Sequence, residues 1–303
     1  VFEIFLYILS GFFLRIIFAI FGASVEKVDY FRDRINSFVF YYIIPFVCLK
    51  TTYTMPFSTS HLKIAFVANL TILSCVFLAW FIYRKIYTKE IKSEVLGALI
   101  VCSSFGNVLY IGLPILTKLY GTEGMGYAFT YDFFGSTPLT WTVAVAVCMK
   151  YGKAKSIRIW DSFKTVLKIP PIWGLLAGFL LREFNFPMPM ELINTVGIIS
   201  GYIIALMLAI VGFSIKIVTP ERIVLLLPAI IIKVIVSAML ALICGKMFGL
   251  SGVPLNVCMI EAAMPSMLLS MIFATAFGID MRTSIEMIFL TTIFSLLIVG
   301  FFV

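Results

Sequence analysis

Charge is scarce in this sequence: only 13% of its 303 residues are Asp, Glu, Lys or Arg, about half the share that a soluble domain carries. Histidine occurs once, at His61 near the end of an apolar run. A single histidine and the lack of an HExxH pattern exclude the usual zinc hydrolase centres. Six cysteines are present, at 48, 75, 102, 148, 244 and 258, and no two form a CxxC pair. All lie inside apolar runs, where cysteine behaves as a small buried hydrophobe. Gly121, Gly124 and Gly126 read as a turn, not a phosphate loop, because no strand precedes them and no GK[ST] follows. No serine–base pairing stands out either. No cofactor and no metal centre is expected, and an enzyme is the weaker class. Long polar stretches are missing as well, which leaves no room for a sizeable soluble domain.

What is abundant is apolar sequence, 62% of the chain. A hydrocarbon-spanning helix needs about 20 mostly apolar residues, and such runs recur throughout. Ten spans are expected, near 1–22, 35–53, 62–83, 95–120, 126–149, 166–181, 192–215, 223–248, 254–277 and 283–303. The first lacks a basic start and is followed by further spans, so it reads as a retained helix. The net charge of +8 does not point to nucleic acid, because the basic residues sit in short links between apolar runs. Counted with the adjoining span ends, the links after odd-numbered spans hold 16 Lys and Arg and those after even-numbered spans 5, Arg15 and Lys233 being left out as inside spans. Basic links stay cytoplasmic, which puts both termini outside in a multi-pass cell-membrane protein and the longest link, Lys150–Ser162, inside.

Divided at that link, the chain gives a first five-helix repeat (1–149), a link (150–165) and a second repeat (166–303), with the second inverted relative to the first. Weak self-similarity agrees. Gly11–Arg15 resembles Gly178–Arg182, Ile35-Asn36-Ser37 resembles Ile193-Asn194-Thr195, and Leu119-Tyr120-Gly121 resembles Ala276-Phe277-Gly278, at offsets of 167, 158 and 157. Arg15 then falls near the cytoplasmic end of its helix, where it can snorkel. Asn69 matches a glycosylation sequon but lies inside a span. Gly174/Gly178 and Gly197/Gly201 are GxxxG pairs suited to close helix packing.

The fourth and ninth spans carry helix breakers at their centres. Span 4 reads Ser103-Ser104-Phe105-Gly106-Asn107-Val108-Leu109-Tyr110-Ile111-Gly112-Leu113-Pro114, and span 9 reads Glu261-Ala262-Ala263-Met264-Pro265-Ser266. Gly106 and Gly112 tolerate unwound backbone, Pro114 suits the first turn of a restarting helix, and Pro265 removes a helical hydrogen bond. The 157-residue offset sets Asn107 against Met264 and Ser104 against Glu261. Two breaks crossing at the bilayer midplane would present two half-helix N-termini to a carboxylate and half-helix C-terminal carbonyls to a cation.

These stretches, with Phe38–Pro45 in span 2, carry a resemblance to the auxin efflux carrier family over nearly the whole chain. The resemblance implies an all-α membrane fold, ten helices in a 5+5 inverted repeat like that of bile-acid and sodium/proton carriers. It implies a scaffold of spans 1, 2, 6 and 7, a mobile core of spans 3–5 and 8–10 with spans 4 and 9 crossing, elevator-like movement, and homodimers through the scaffold. The long cytoplasmic domain of many plant members is absent, so regulation through it is not expected.

Ionisable residues at membrane depth usually have a task. Glu261, one turn before Pro265, is the expected coupling residue, binding Na+ or taking a proton. Asp132 is either a second proton site or a partner in a core hydrogen bond. Lys233, midway along span 8, either neutralises one of these acids, attracts substrate or snorkels. Asn107 is expected to offer its amide to a substrate carboxylate, with Ser104, Gly106, Pro265 and Ser266 around it. The expectation is a carrier of a small organic anion, coupled to H+ or Na+ or to neither. A Na+-coupled symporter of a larger acid, or a channel or sensor of the same fold, is the alternative.

Overall fold

The structure, a computed structural model, describes residues 2–21, 25–54, 58–87, 90–153, 170–214 and 222–302. Residues 154–165 of the expected link, and 166–169 of the sixth span, lie outside the described residues. Every regular element described is helical. The first half holds α1 (Phe2–Ile20), α2 (Val25–Phe38), α3 (Ile44–Thr54), α4 (Thr59–Phe81) and α5 (Ser93–Ser104), then α6 (Leu113–Tyr131), α7 (Thr137–Leu139) and α8 (Val145–Tyr151). The second holds α9 (Pro170–Glu183), α10 (Met190–Ser214), α11 (Ile223–Ile231), α12 (Ser237–Met247), α13 (Gly252–Ala262), α14 (Leu269–Phe277) and α15 (Met281–Phe302). Six π turns join several of these into longer rods: Val39–Ile43, Ile82–Ile86, Val108–Gly112, Asp132–Ser136, Thr140–Ala144 and Ile232–Val236.

Each expected span coincides with helix, within a few residues for most. The second differs most, since its helix begins at Val25 rather than 35. The extra stretch, VEKVDYFRDR, is too charged to register as apolar, yet a helix needs no apolar composition to propagate once nucleated. Among the described residues, four helices are long and apolar enough to cross a membrane: Thr59–Ile86, Met190–Ile210, Ile223–Met247 and Met281–Ile298. Ser93–Ser104 and Gly252–Ala262 are shorter apolar helices, because each is only the first half of an interrupted span. Gly121, at φ 60° and ψ −142°, kinks α6 and separates the end of one span from the start of the next.

The polarity of the fold is that of a body in lipid. Phe13, Phe66, Phe77, Trp173, Ile198 and Val224 are exposed, whereas Lys233, Glu261, Glu286 and many Ser and Thr side chains are buried. A water-soluble domain sorts these types the other way.

The helices pack in two groups. In one, α1 lies along α10 and α9 along α3, with α10 also touching α2 and α3. In the other, α4, α5, α6, α8 and α11–α15 pack among themselves. The groups meet where α10 touches the Val108–Gly112 turn and α6, and where α3 touches α6. Glycines set the closest approaches in the first group. A methyl group added at Gly174 would stand 2.1 Å from the Pro45 carbonyl oxygen, and one at Gly178 2.3 Å from that of Leu49. The second GxxxG pair does not do this. Gly201 has nothing within 4 Å of an added methyl, and Gly197 faces only the Lys50 side chain.

The links after spans 3, 5, 7 and 9 converge on one face. Asp280 N donates to Glu94 O at 3.0 Å and Lys153 N to Gly278 O at 3.3 Å. Lys153 pairs with Glu94 at 2.8 Å, and Arg222 reaches Asp280 at 3.5 Å and Glu286 at 3.0 Å. On the opposite face, Tyr53 Oη donates to Phe186 O and accepts from Met188 N, both at 3.2 Å. His61 lies there too, but as a cap and not a plain interfacial residue. Its ring nitrogen accepts from Ser58 N at 3.1 Å, closing a capping box at the start of α4. In a background with the native cysteines replaced, cysteines at Lys92 and Lys153 should therefore label with an impermeant maleimide from one side of a sealed vesicle, and one at Glu191 from the other. Labelling of all three from the same side would contradict this arrangement.

Candidate functional site

Two helices stop inside the second group and meet. α5 ends at Ser104 and α13 at Ala262. Between Gly106 and Ser266 the two unwound segments form an antiparallel bridge. Asn107 N donates to Pro265 O at 2.7 Å, and Met267 N to Phe105 O at 3.0 Å. The two bonds exchange roles under a two-fold rotation, which relates each residue of one break to the residue 160 later in the other: 105 to 265, 106 to 266, 107 to 267.

The 157-residue offset pairs Gly121 with Gly278, both at positive φ, where the two restarted helices end. From Gly106 to Gly121 is 15 residues and from Ser266 to Gly278 is 12, a difference of three. At the break itself Asn107 therefore corresponds to Met267 rather than Met264, and Glu261 to Val101 rather than Ser104. The first helix also restarts earlier than Pro114, at Val108, through a π turn in which Ile111 N and Gly112 N approach Asn107 O at 3.2 and 3.4 Å. Pro114 falls just after the turn, where α-helical pairing resumes.

The carbonyls freed by the second break are capped from neighbouring helices. Ala262 O accepts from Lys233 Nζ and from Ser237 Oγ, each at 2.6 Å, and Ala263 O accepts from Ser295 Oγ at 2.6 Å. Lys233 stands in the Ile232–Val236 π turn, and the Ser237 hydroxyl also donates to its carbonyl. Its ammonium thus caps the negative end of α13. No carboxylate lies within ion-pair distance of it among the described residues, so it does not neutralise an acid by direct contact. The ammonium also packs on Gly106, where an added methyl would stand 3.3 Å from Nζ.

Glu261 is 1% exposed, and neither carboxyl oxygen has a hydrogen-bond partner. Its carboxyl lies against Gly112, where an added methyl would stand 2.0 Å from Oε2. Gly112 was expected as a helix-break residue; its glycine also clears space for this carboxyl. Glu261, Lys233, Ser237, Ser104, Gly106, Thr71, Tyr131 and Ser136 line one small cavity with room for about one water molecule. Thr71 Oγ1 is the third unpartnered oxygen in it, after the two of Glu261. Thr71, Tyr131, Ser136 and Ser237 were not picked out from sequence, because lone hydroxyls in apolar helices usually bond back to their own backbone.

The other expected residues divide. Asn107 is buried at the junction, and its side chain makes no capping bond to the restarted helix. Ser104 Oγ donates to Ile100 O at 2.8 Å while lining the cavity. Ser266 is engaged in the junction: its hydroxyl donates to Cys102 O at 2.6 Å and its N–H to Thr291 Oγ1 at 3.0 Å. Asp132 lies in its own π turn, buried, accepting from Thr137 Oγ1 at 3.2 Å, and does not line the cavity. Asn69 donates to Ala65 O and Phe134 O at 2.7 and 3.1 Å inside the helix bundle. Among the described residues no cluster of three metal-ligating side chains is present.

Comparison with known proteins adds a family. A family model described as "Membrane transport protein" matches residues 1–303. An uncharacterized transporter of Methanocaldococcus jannaschii is 26% identical over 303 residues, covering 97% of this chain and 93% of that protein. An uncharacterized transporter of Methanothermobacter thermautotrophicus is 24% identical over 200 residues, covering 65% and 64% respectively.

The contact between Gly112 and Glu261 makes a thermodynamic prediction. Gly112→Ala should destabilise the purified protein by about 1–3 kcal/mol through overpacking. Combined with Glu261→Ala, which opens the space, its cost should largely vanish. Additive losses in thermal unfolding would show that the two residues do not touch.

Proposed function

Because the chain belongs to the auxin efflux carrier family of membrane transport proteins, we propose that it is a secondary carrier of a small organic anion. The anion is a carboxylate, taken at the junction of the two broken helices and moved by an elevator-type mechanism. The observation that carries this is the antiparallel pairing at Gly106 and Ser266. It holds two helix restarts side by side, each with unpaired N–H groups and a positive dipole end. Asn107, whose amide does not cap its own helix, donates to the carboxylate. Ser104, Gly106, Pro265 and Ser266 build the backbone around it. The enclosed cavity is too small for an organic acid, so the anion binds at the junction's outer surface and the cavity serves the coupling ion.

Glu261 is that coupling residue. A buried carboxyl with both oxygens unpartnered is costly as an anion and favours either a bound proton or a small cation. Lys233, already seated on the Ala262 carbonyl, stands where a half-helix C-terminus would otherwise receive a cation. The two packing groups correspond to a scaffold of spans 1, 2, 6 and 7 and a transport core of spans 3–5 and 8–10. Ten spans arranged as a 5+5 inverted repeat, homodimers through the scaffold, and both termini outside with the basic odd-numbered links cytoplasmic complete the reading.

A thermal-shift screen of small carboxylates across pH, with and without Na+, should find a ligand that stabilises the folded chain. Counterflow of the labelled hit into proteoliposomes then separates a carrier from an open pore. Asn107→Ala should weaken the response about tenfold, the loss of a hydrogen bond to a charged group, and Glu261→Gln should abolish any dependence on pH or Na+. An unchanged response in Asn107→Ala removes that residue from the site, and ion dependence that survives Glu261→Gln makes Glu261 structural.

A further inference from the structure

Lys50 is a cation inside a helix, and its ammonium has no partner among the described residues. Three other cations of the helices are engaged: Arg15 Nη1 donates to Phe213 O at 2.7 Å, Lys118 lies 5.8 Å over the Tyr7 ring, and Lys233 caps Ala262. Lys50 is half-buried in α3, and its ammonium makes no hydrogen bond, ion pair or ring contact among the described residues.

Its direction rules out simple snorkelling. Lys50 stands four residues, about 6 Å, before the end of α3. That end is level with the 186–188 link, because the Tyr53 hydroxyl bonds to Phe186 and Met188. A snorkelling side chain would turn toward that link. Instead Nζ lies over Gly197, 2.7 Å from where its methyl would be. Gly197 is seven residues, about 10 Å, below the start of α10. The ammonium therefore bends inward, toward the middle of the fold. One turn deeper the α10 surface is open, with nothing within 4 Å of a methyl at Gly201. The place is also a seam, since α10 packs against α3 on one side and against the Val108–Gly112 restart and α6 on the other.

We propose that Lys50 is the cationic arm of a second, shallower oxyanion site on the α3–α10 seam, with Gly197 as its floor. An ammonium at this depth is expensive without a counter-charge, and the described residues supply none. A carboxylate or a lipid phosphate supplies it. Gly197 keeps the ammonium accessible, since any larger side chain would displace it. The carboxylate source rests on the anion reading above; the lipid source does not.

The purified full-length chain in uncharged detergent is titrated with malonate in one arm and with short-chain phosphatidylglycerol in another, phosphatidylcholine being the neutral control. Melting temperature is the readout. At least one anion should stabilise the wild-type chain, with Lys50→Gln and Lys50→Met each weakening that response about tenfold and Lys50→Arg retaining it. Running the malonate arm in an Asn107→Ala background separates the two sites. A residual response there that Lys50→Gln removes belongs to Lys50, whereas a response lost in phosphatidylglycerol alone assigns the site to lipid. If neither anion stabilises the wild type, or both Lys50 variants keep every response, the site does not exist. A response that Asn107→Ala abolishes and Lys50→Gln leaves intact overturns this site alone and leaves the carrier reading standing.

Discussion

Two short backbone segments pairing across the interior make the rest of this architecture tenable. Helices that end in a low-dielectric interior leave up to four N–H and four C=O groups each without intrahelical partners, and lipid offers nothing to satisfy them. Here Phe105–Asn107 and Pro265–Met267 satisfy one another as a two-residue ribbon. Hydroxyls of Ser237, Ser266 and Ser295 and the ammonium of Lys233 take the exposed carbonyls nearby. Each of these side chains comes from a different helix or from the opposite break. The junction is thus held from the Ile223–Met247 rod, from α15 and by the two breaks themselves.

Glu261 stands apart from this economy of pairing. Among the described residues, every other fully buried side-chain nitrogen or oxygen close to the break has a partner, apart from the Thr71 hydroxyl in the same cavity. Gly112, on the other broken helix, gives the carboxyl its space. The acid of one break is therefore packed on the backbone of the other, so a change in its charge is felt by both restarted helices together. Lys233 sits on the carbonyl of the residue next to Glu261, linking the ammonium and the acid through one peptide unit rather than through an ion pair.

Much of this was legible in the sequence because membrane burial filters residue types severely. Glycine, proline and asparagine in the middle of an apolar run, or a lone Glu261 or Lys233, stand out against such a background. The two breaks, their meeting and the identity of the central acid followed from that contrast. Register did not. A shared Leu-Tyr-Gly and Ala-Phe-Gly ending fixed the offset at Gly121 and Gly278, but the first restarted helix is three residues longer than the second, so the match drifts over the intervening turns. Roles of small residues were also hidden. Gly112 and Gly197 look like helix breakers or packing glycines, yet each makes room for a charged side chain. Such clearance depends on which helix lies opposite, and that is a property of the tertiary fold. Thr71 and Ser237 escaped for a related reason, since a hydroxyl in a helix looks the same whether it bonds its own turn or faces a cavity. The capping role of His61 depended on the Ser58 that precedes α4.

The π turns have a consequence for how this chain can change over evolutionary time. Each is equivalent to one residue added to an α-helix, with the surplus taken up in a widened coil. In a regular coil an added residue would swing everything beyond it by about 100°; the widened coil absorbs that locally, so side chains on the turn are re-aimed while the rest of the helix and the loops keep their places. Asp132 and Lys233 both ride on such turns. In diverging copies of this sequence, single-residue gaps should therefore collect within the hydrophobic stretches themselves, and each would re-aim a charged side chain without moving the helix that carries it.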